Sequence, residues 1–132
     1  PKNLDVDQMA RLLEIPDDEP LAIRDKAMME LMYSSGLRIS ELVGANMQDI
    51  SAANGEILVR GKGNKERLIP VGKKALDALK KWLTIRPQFA KPDEIAVFLS
   101  SQKNRISIRQ VRLRMQEWGI KQGISSQVHP HK

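Results

Sequence analysis

The chain has 132 residues, enough for one domain with a real core, and no cysteine, so disulfide frameworks, thiolate metal sites and cysteine nucleophiles are excluded. Hydrophobic residues make up 41% and charged residues 29%, which argues for a folded domain rather than disorder; no apolar run is long enough to cross a bilayer. Twenty-two Lys and Arg against sixteen Asp and Glu give a net charge of +6, which favours a polyanionic partner such as nucleic acid.

In chain order, residues 6–15 read as a short amphipathic helix with Val6, Met9, Leu12 and Leu13 on one side and Asp5 as its N-cap. The acidic, proline-bounded turn at residues 16–20 breaks it. A second helix over residues 21–34 carries Ala27, Met28, Leu31 and Met32 at helical spacing, and Gly36 is placed to close it. A shorter helix at residues 39–44 follows almost at once. The period then shortens: residues 55–60 and 66–71 are β-rich runs joined by Gly61-Lys62-Gly63-Asn64-Lys65, a hairpin signal. Helical spacing returns over residues 73–83, with Leu76, Leu79, Trp82 and Leu83, and ends before Pro87. The apolar run 95–99 is expected to be the third strand of a small sheet. Ser107 and Gln110 have capping-box spacing and open a last helix with Ile108, Val111, Met115 and Trp118 inward, ended by Gly119 or Gly123. The sum is a mainly α fold with a small three-stranded antiparallel sheet; the tail, which stops at His129-Pro130-His131-Lys132 without a closing element, suggests truncation at the C-terminal end.

Three places have functional chemistry. Arg38 sits between a glycine-closed helix and a new helix, where a guanidinium beside backbone N–H donors suits a phosphate. Glu41, three residues on, is placed to aim it; a purely structural Arg38–Glu41 pair is the alternative reading. The hairpin tip carries Lys62, Lys65 and Arg67, with two glycines, Gly61 and Gly63, that let its backbone approach another molecule closely. Such a tip can reach a DNA backbone, and a lysine there can protonate a leaving oxygen; a solvated basic hairpin is the alternative. It is no phosphate-binding P-loop, because the glycine spacing and the Gly-Lys-Ser/Thr ending are missing. Arg105, Arg109 and Arg112, spaced by four and three, are expected along one side of the last helix, with Glu117 the one interleaved acid, and favour nucleic acid. Tyr33, the one tyrosine, and Trp82 and Trp118 read as core. His129 and His131 lack neighbouring acids, so no metal site is expected.

Together, the phrases Tyr33-Ser34-Ser35-Gly36-Leu37-Arg38-Ile39-Ser40-Glu41-Leu42, Gly61-Lys62-Gly63-Asn64-Lys65-Glu66-Arg67 and His129-Pro130-His131-Lys132 resemble the tyrosine recombinase (phage integrase) family over essentially the whole chain. The wording at residues 117–123 and 128–132 is closer to its XerC branch than to its XerD branch. The resemblance implies that Arg38 binds the scissile phosphate, supported by Glu41. It implies that Lys62 protonates the departing 5′-oxygen, and that His131 opens the His-x-x-Arg motif as a phosphate-contacting, proton-handling group. It implies no cofactor. The expected partners are double-stranded DNA at a recombination site, an XerD-like partner recombinase and a septal DNA translocase, in the cytoplasm and without membrane insertion. A phage or integron integrase, or a non-catalytic DNA-binding module on the same fold, are the rivals. The family pattern continues past Lys132 to an arginine, a further histidine or tryptophan and the nucleophilic tyrosine. Residues 1–132 are therefore expected to be a partial catalytic domain, without its N-terminal clamp domain and nucleophile segment, and inactive alone.

Overall fold

The computed structural model describes residues 5–124, leaving aside the side chain of Lys62. Five helices surround one three-stranded sheet, and each boundary has a local cause. Helix α1 (Val6–Leu12) is capped by Asp5, whose side chain accepts from the Gln8 N–H at 2.7 Å while the Gln8 side chain accepts from the Asp5 N–H at 3.1 Å. Helix α2 (Pro20–Ser34) starts with a proline in its first turn, where the missing N–H costs nothing. It stops at Gly36, which adopts φ +74°; a Cβ there would meet no atom within 4 Å, so backbone handedness alone asks for glycine. Leu37 then donates back to the Leu31 carbonyl at 3.1 Å, and helix α3 (Ile39–Gly44) begins.

Strands β1 (Ile50–Ser51), β2 (Glu56–Arg60) and β3 (Glu66–Pro70) pair antiparallel in that order, with Ile50 opposite Ile57 and Leu58 opposite Leu68. The third strand is therefore β1, not the 95–99 run expected from its apolar character. Ile95 is exposed, while residues 96–99 of that run are buried, with α4 (Lys73–Ile85) packed on them: the Trp82 indole stacks on Phe98 with centroids 6.2 Å apart and donates to the Val97 carbonyl at 2.8 Å. Its backbone meets other chain only at single bridges, Asn46 with Ala96 and Leu99 with Arg105. Arg86, just beyond α4, satisfies the Ala96 and Glu94 carbonyls, with its Nε 2.9 Å from the former. A side chain thus does what a neighbouring strand would have done.

Helix α5 (Ile108–Lys121) has the expected Ser107/Gln110 capping box and ends at Gly123, φ +70°; Gly119 lies buried within it. Helix α2 is central. It buries Met28, Met29, Leu31 and Met32, and also Arg24, Asp25 and Glu30. A helix buried on this many sides loses the clean polar stripe of a surface helix. Asp25 accepts from Arg24 on the same helix and from Arg114 and Trp118 on α5, while Glu30 accepts from the Ser34 hydroxyl at 2.6 Å. The acidic turn before α2 is fastened to α4 by Asp17 and Lys81, 2.6 Å apart. Among the described residues no helix is long and apolar enough to cross a membrane.

Candidate active site

Arg38 is the N-cap of α3, with extended backbone (φ −74°, ψ 153°). Its neighbours Leu37 and Ile39 are both in the core, which pins the main chain on either side and leaves the Arg38 side chain exposed. Glu41 holds the same residue from below, its Oε1 accepting the Arg38 N–H at 2.9 Å. This is the returning half of a capping box, fixing one of the free donors of a helix start.

The guanidinium of Arg38 is not Glu41's partner. That place is taken by Arg67 of β3: Nη2 donates to Glu41 Oε1 at 3.2 Å, and Nη1 lies 3.0 Å from Oε2 as an ion pair. The Glu41 carboxylate is buried whereas Arg67 is half-exposed, so the pair lies at the edge of the core. The structural Arg38–Glu41 pair, one of the two readings open from sequence, is absent. The Arg38 guanidinium makes no hydrogen bond or ion pair with any other described residue, and its side chain is exposed.

The hairpin β2–β3 is closed by the Gly61 N–H donating to the Lys65 carbonyl at 2.7 Å. A 3₁₀ turn at Lys62–Asn64 forms the tip, with Gly63 at φ +74° and Asn64 at φ 60°, left-handed values that glycine and asparagine tolerate best. Lys62 occupies the first position of that turn; Lys65 is exposed beside it. Both strands are fastened to the helical body. Arg67 on β3 holds Glu41, and Arg60 on β2 holds Asp49 at 3.0 Å and Glu66 at 3.0 Å. Asp49 repeats the role of Glu41, since its Oδ2 accepts the Asn46 N–H at 3.0 Å at the start of the next short helix. The Asp49 carboxylate beside Arg60 raises the guanidinium's pKa further above its ordinary value. The hairpin carrying Lys62 is thus anchored at the foot of Arg38.

The basic helix face is smaller than expected. Arg109 and Arg112 are on α5 and exposed. Arg105 precedes the Ser107 cap and is not on the helix. Its Nη1 donates to the Val43 and Ala45 carbonyls at 2.8 and 3.2 Å, and its Nη2 to the Asn46 side chain, which seals the end of α3. Arg114 is turned to Asp25, with Nε 2.6 Å from Oδ2. Tyr33 is half-buried on α2, and burial pushes its phenol well above the ordinary value, which disfavours the phenolate and fits a packing role. His129 and His131 lie outside the described residues. Among the described residues there is no cluster of three or more His, Asp or Glu side chains able to hold a metal ion.

Sequence reasoning missed Asp25, Asp49 and the two arginine tethers. Asn46 and Asp49 do have capping-box spacing, a local signal. Asp25 inside an apolar helical run signalled a buried partner without naming it. Nothing local joins Glu41 to Arg67, which lie 26 residues apart.

The chain is similar to known proteins along its whole length. The sequence profile of the phage integrase family matches residues 2–132. The tyrosine recombinase XerC of Psychromonas ingrahamii is 55% identical over 132 residues, covering 100% of this chain and 44% of the relative. That of Serratia marcescens is 53% identical over the same span, 43% of its length. The chain thus spans less than half the length of the curated relatives it matches. Among solved structures, the XerA recombinase has a TM-score of 0.85 at 24% identity, over 97% of this chain and 46% of that one. The XerH site-specific recombinase bound to palindromic difH substrate, in a post-cleavage complex, has a TM-score of 0.79 at 19% identity, over 98% of this chain and 38% of that one. At these identities the likeness is one of fold.

Proposed function

Because this chain belongs to the phage integrase family, the tyrosine recombinases, we propose that it is part of the catalytic domain of an enzyme that cuts and rejoins duplex DNA at specific sites. The observation that carries the reading is Arg38: a guanidinium without a partner among the described residues, on a backbone fixed by Leu37, Ile39 and Glu41, beside a lysine-bearing hairpin. An arginine held for structure would be paired. One that is pre-positioned and unpaired is ready for an anion supplied from outside.

In this reading Arg38 binds the non-bridging oxygens of the scissile phosphate and stabilises the charge that builds on them. The nucleophilic tyrosine of the whole protein forms its bond to phosphorus while the bond to the 5′-oxygen breaks. The phenolic proton leaves to the proton-handling His131, and the 5′-oxygen takes a proton from Lys62. The product is a 3′-phosphotyrosyl link, and the reverse step rejoins the strand. Residues 1–132 hold part of this machinery and do not cut DNA alone. Lys65, Arg109 and Arg112 add contacts to the DNA backbone. The identity to XerC relatives favours resolution of chromosome dimers in the cytoplasm with an XerD-like partner, under a septal DNA translocase, over a phage or integron integrase.

Covalent trapping tests this reading. The chain, extended to its natural ends, is incubated with a nicked suicide duplex carrying a dimer-resolution site, beside its Arg38→Ala variant and residues 1–132. An adduct from the extended chain alone supports the recombinase. No adduct on any recombination site, with DNA binding intact, would move the assignment to a non-catalytic DNA-binding module.

A further inference from the structure

The pair Arg67–Glu41 does more than close a surface gap. Glu41 is bonded at one oxygen to the Arg38 main chain and at both oxygens approached by Arg67. Arg67 is on the strand that returns from the Lys62 turn, opposite Val59 in the ladder. One carboxylate therefore joins the backbone of the phosphate-binding residue to the base of the hairpin carrying the proton donor. The other strand is fastened separately, by Arg60 to Asp49. Ile57, Val59 and Ile69 bury the body of the hairpin in the core, so it stays folded without either ion pair. The two pairs sit at the end of the ladder nearest the turn and set the tilt of the tip. Nη2 of Arg67 makes the one hydrogen bond, to Oε1, while Nη1 stands 3.0 Å from Oε2 as an ion pair, so the planar guanidinium faces the carboxylate with both nitrogens and constrains direction as well as distance.

We propose that Arg67 is a positioning residue for proton transfer: through Glu41 it sets the Lys62 hairpin relative to the phosphate held by Arg38. It does not touch DNA. The proposal rests on the recombinase reading above and assigns to Arg67 a role distinct from the phosphate contact expected from its charge alone.

The chemistry provides a readout that a merely structural role would not move. In cleavage of an ordinary strand the P–O5′ bond breaks and the 5′-oxygen needs a proton. With sulfur in place of that bridging oxygen, the thiolate leaves without one. A defect in the placement of the acid is therefore cured by the sulfur substrate, whereas a defect in phosphate binding or folding is not. A positioned general acid contributes about 10²–10⁴-fold, so partial misplacement should cost about tenfold or more.

The experiment uses the whole natural protein and two suicide duplexes of one sequence, with oxygen or sulfur at the 5′-bridging position, under single-turnover conditions. Wild type, Arg67→Met, Arg67→Lys and Lys62→Ala are compared, with thermal melting and the salt dependence of DNA binding measured for each. The expected result is that Arg67→Met slows cleavage of the oxygen substrate about tenfold or more and cleaves the sulfur substrate within about threefold of wild type, as Lys62→Ala does. Arg67→Lys, which keeps charge but loses the fork, should lie between. Equal slowing on both substrates, or no slowing on either, overturns the proposal, as does a salt slope reduced by about one phosphate contact. If wild type forms no adduct with either duplex, it is the recombinase reading that has failed.

Discussion

The indole N–H of Trp118 donates to Asp25 Oδ2 at 2.8 Å, joining α5 to α2 across 93 residues of chain. The same carboxylate accepts from Arg24 and Arg114, so one buried acid satisfies two guanidiniums and an indole. Arg24 in turn donates to the Leu99 carbonyl at 3.0 Å, which extends the network to the buried segment 96–99.

Asp25→Ala would leave the buried Arg24 without its counter-charge, and breaking a buried pair from one side costs about 3–5 kcal/mol. Urea unfolding of residues 1–132 measures it. A loss below about 1 kcal/mol would show that Arg24 relaxes to solvent, contrary to the tight packing seen here.

Arg105 and Arg109 should separate stability from binding. Arg105→Ala removes charge-assisted bonds to two backbone carbonyls and a side-chain amide, and is expected to destabilise by about 2–3 kcal/mol. Arg109→Ala, on the exposed face of α5, should leave stability within about 0.5 kcal/mol but weaken DNA binding and reduce its salt slope by about one. Filter binding from low to moderate salt, beside urea unfolding, checks both. Binding to the wild-type chain that does not weaken with salt would contradict a phosphate-contacting surface altogether.

Gly36→Ala should destabilise by about 1–2 kcal/mol, because φ +74° is strained for a residue with Cβ although space is available. Gly44→Ala, also with open space but at an ordinary φ inside α3, is the control and should be neutral or slightly stabilising. Equal effects at the two positions would refute the conformational argument.

Acid titration should report the Asp17–Lys81 contact. Lys81, by hydrogen bond and charge, holds the Asp17 carboxyl below its ordinary value of 3.8. A carboxyl depressed in the folded state adds stability above pH 3.8, lost as pH falls through the lower folded value. Melting temperature against pH at low salt should therefore fall less steeply in this range for Lys81→Ala than for wild type. Both groups are exposed, so the difference should shrink in high salt. Parallel curves for the two proteins would show that the pair does not contribute.

Features specified within a few residues were legible in the sequence. The Asp5 and Ser107 capping boxes, the Gly36 stop, the span of α3 and the hairpin with its glycine tip all follow from local backbone chemistry. The third strand was not. Ile50–Ser51 is too short to show a period, whereas the 95–99 run has the composition of a central strand, and its residues 96–99 are buried beside Trp82 instead. Val6, expected inward, is 82% exposed, because it lies at the rim of an open groove between α1, α2 and α4. At the candidate site, residue types announced Arg38 and the hairpin. They did not announce that Glu41 would choose Arg67 over Arg38, or that Arg105 would turn inward, since each choice is decided by tertiary contacts.

Residue 38 divides its duties between its own atoms. The main chain caps a helix and is clasped by Glu41, while the exposed side chain has no partner among the described residues. The scaffold therefore does not depend on which side chain sits there, and position 38 is a natural port. Histidine, lysine or an unnatural cation could be installed on an unchanged framework, and the response of the chemistry read without a refolding problem.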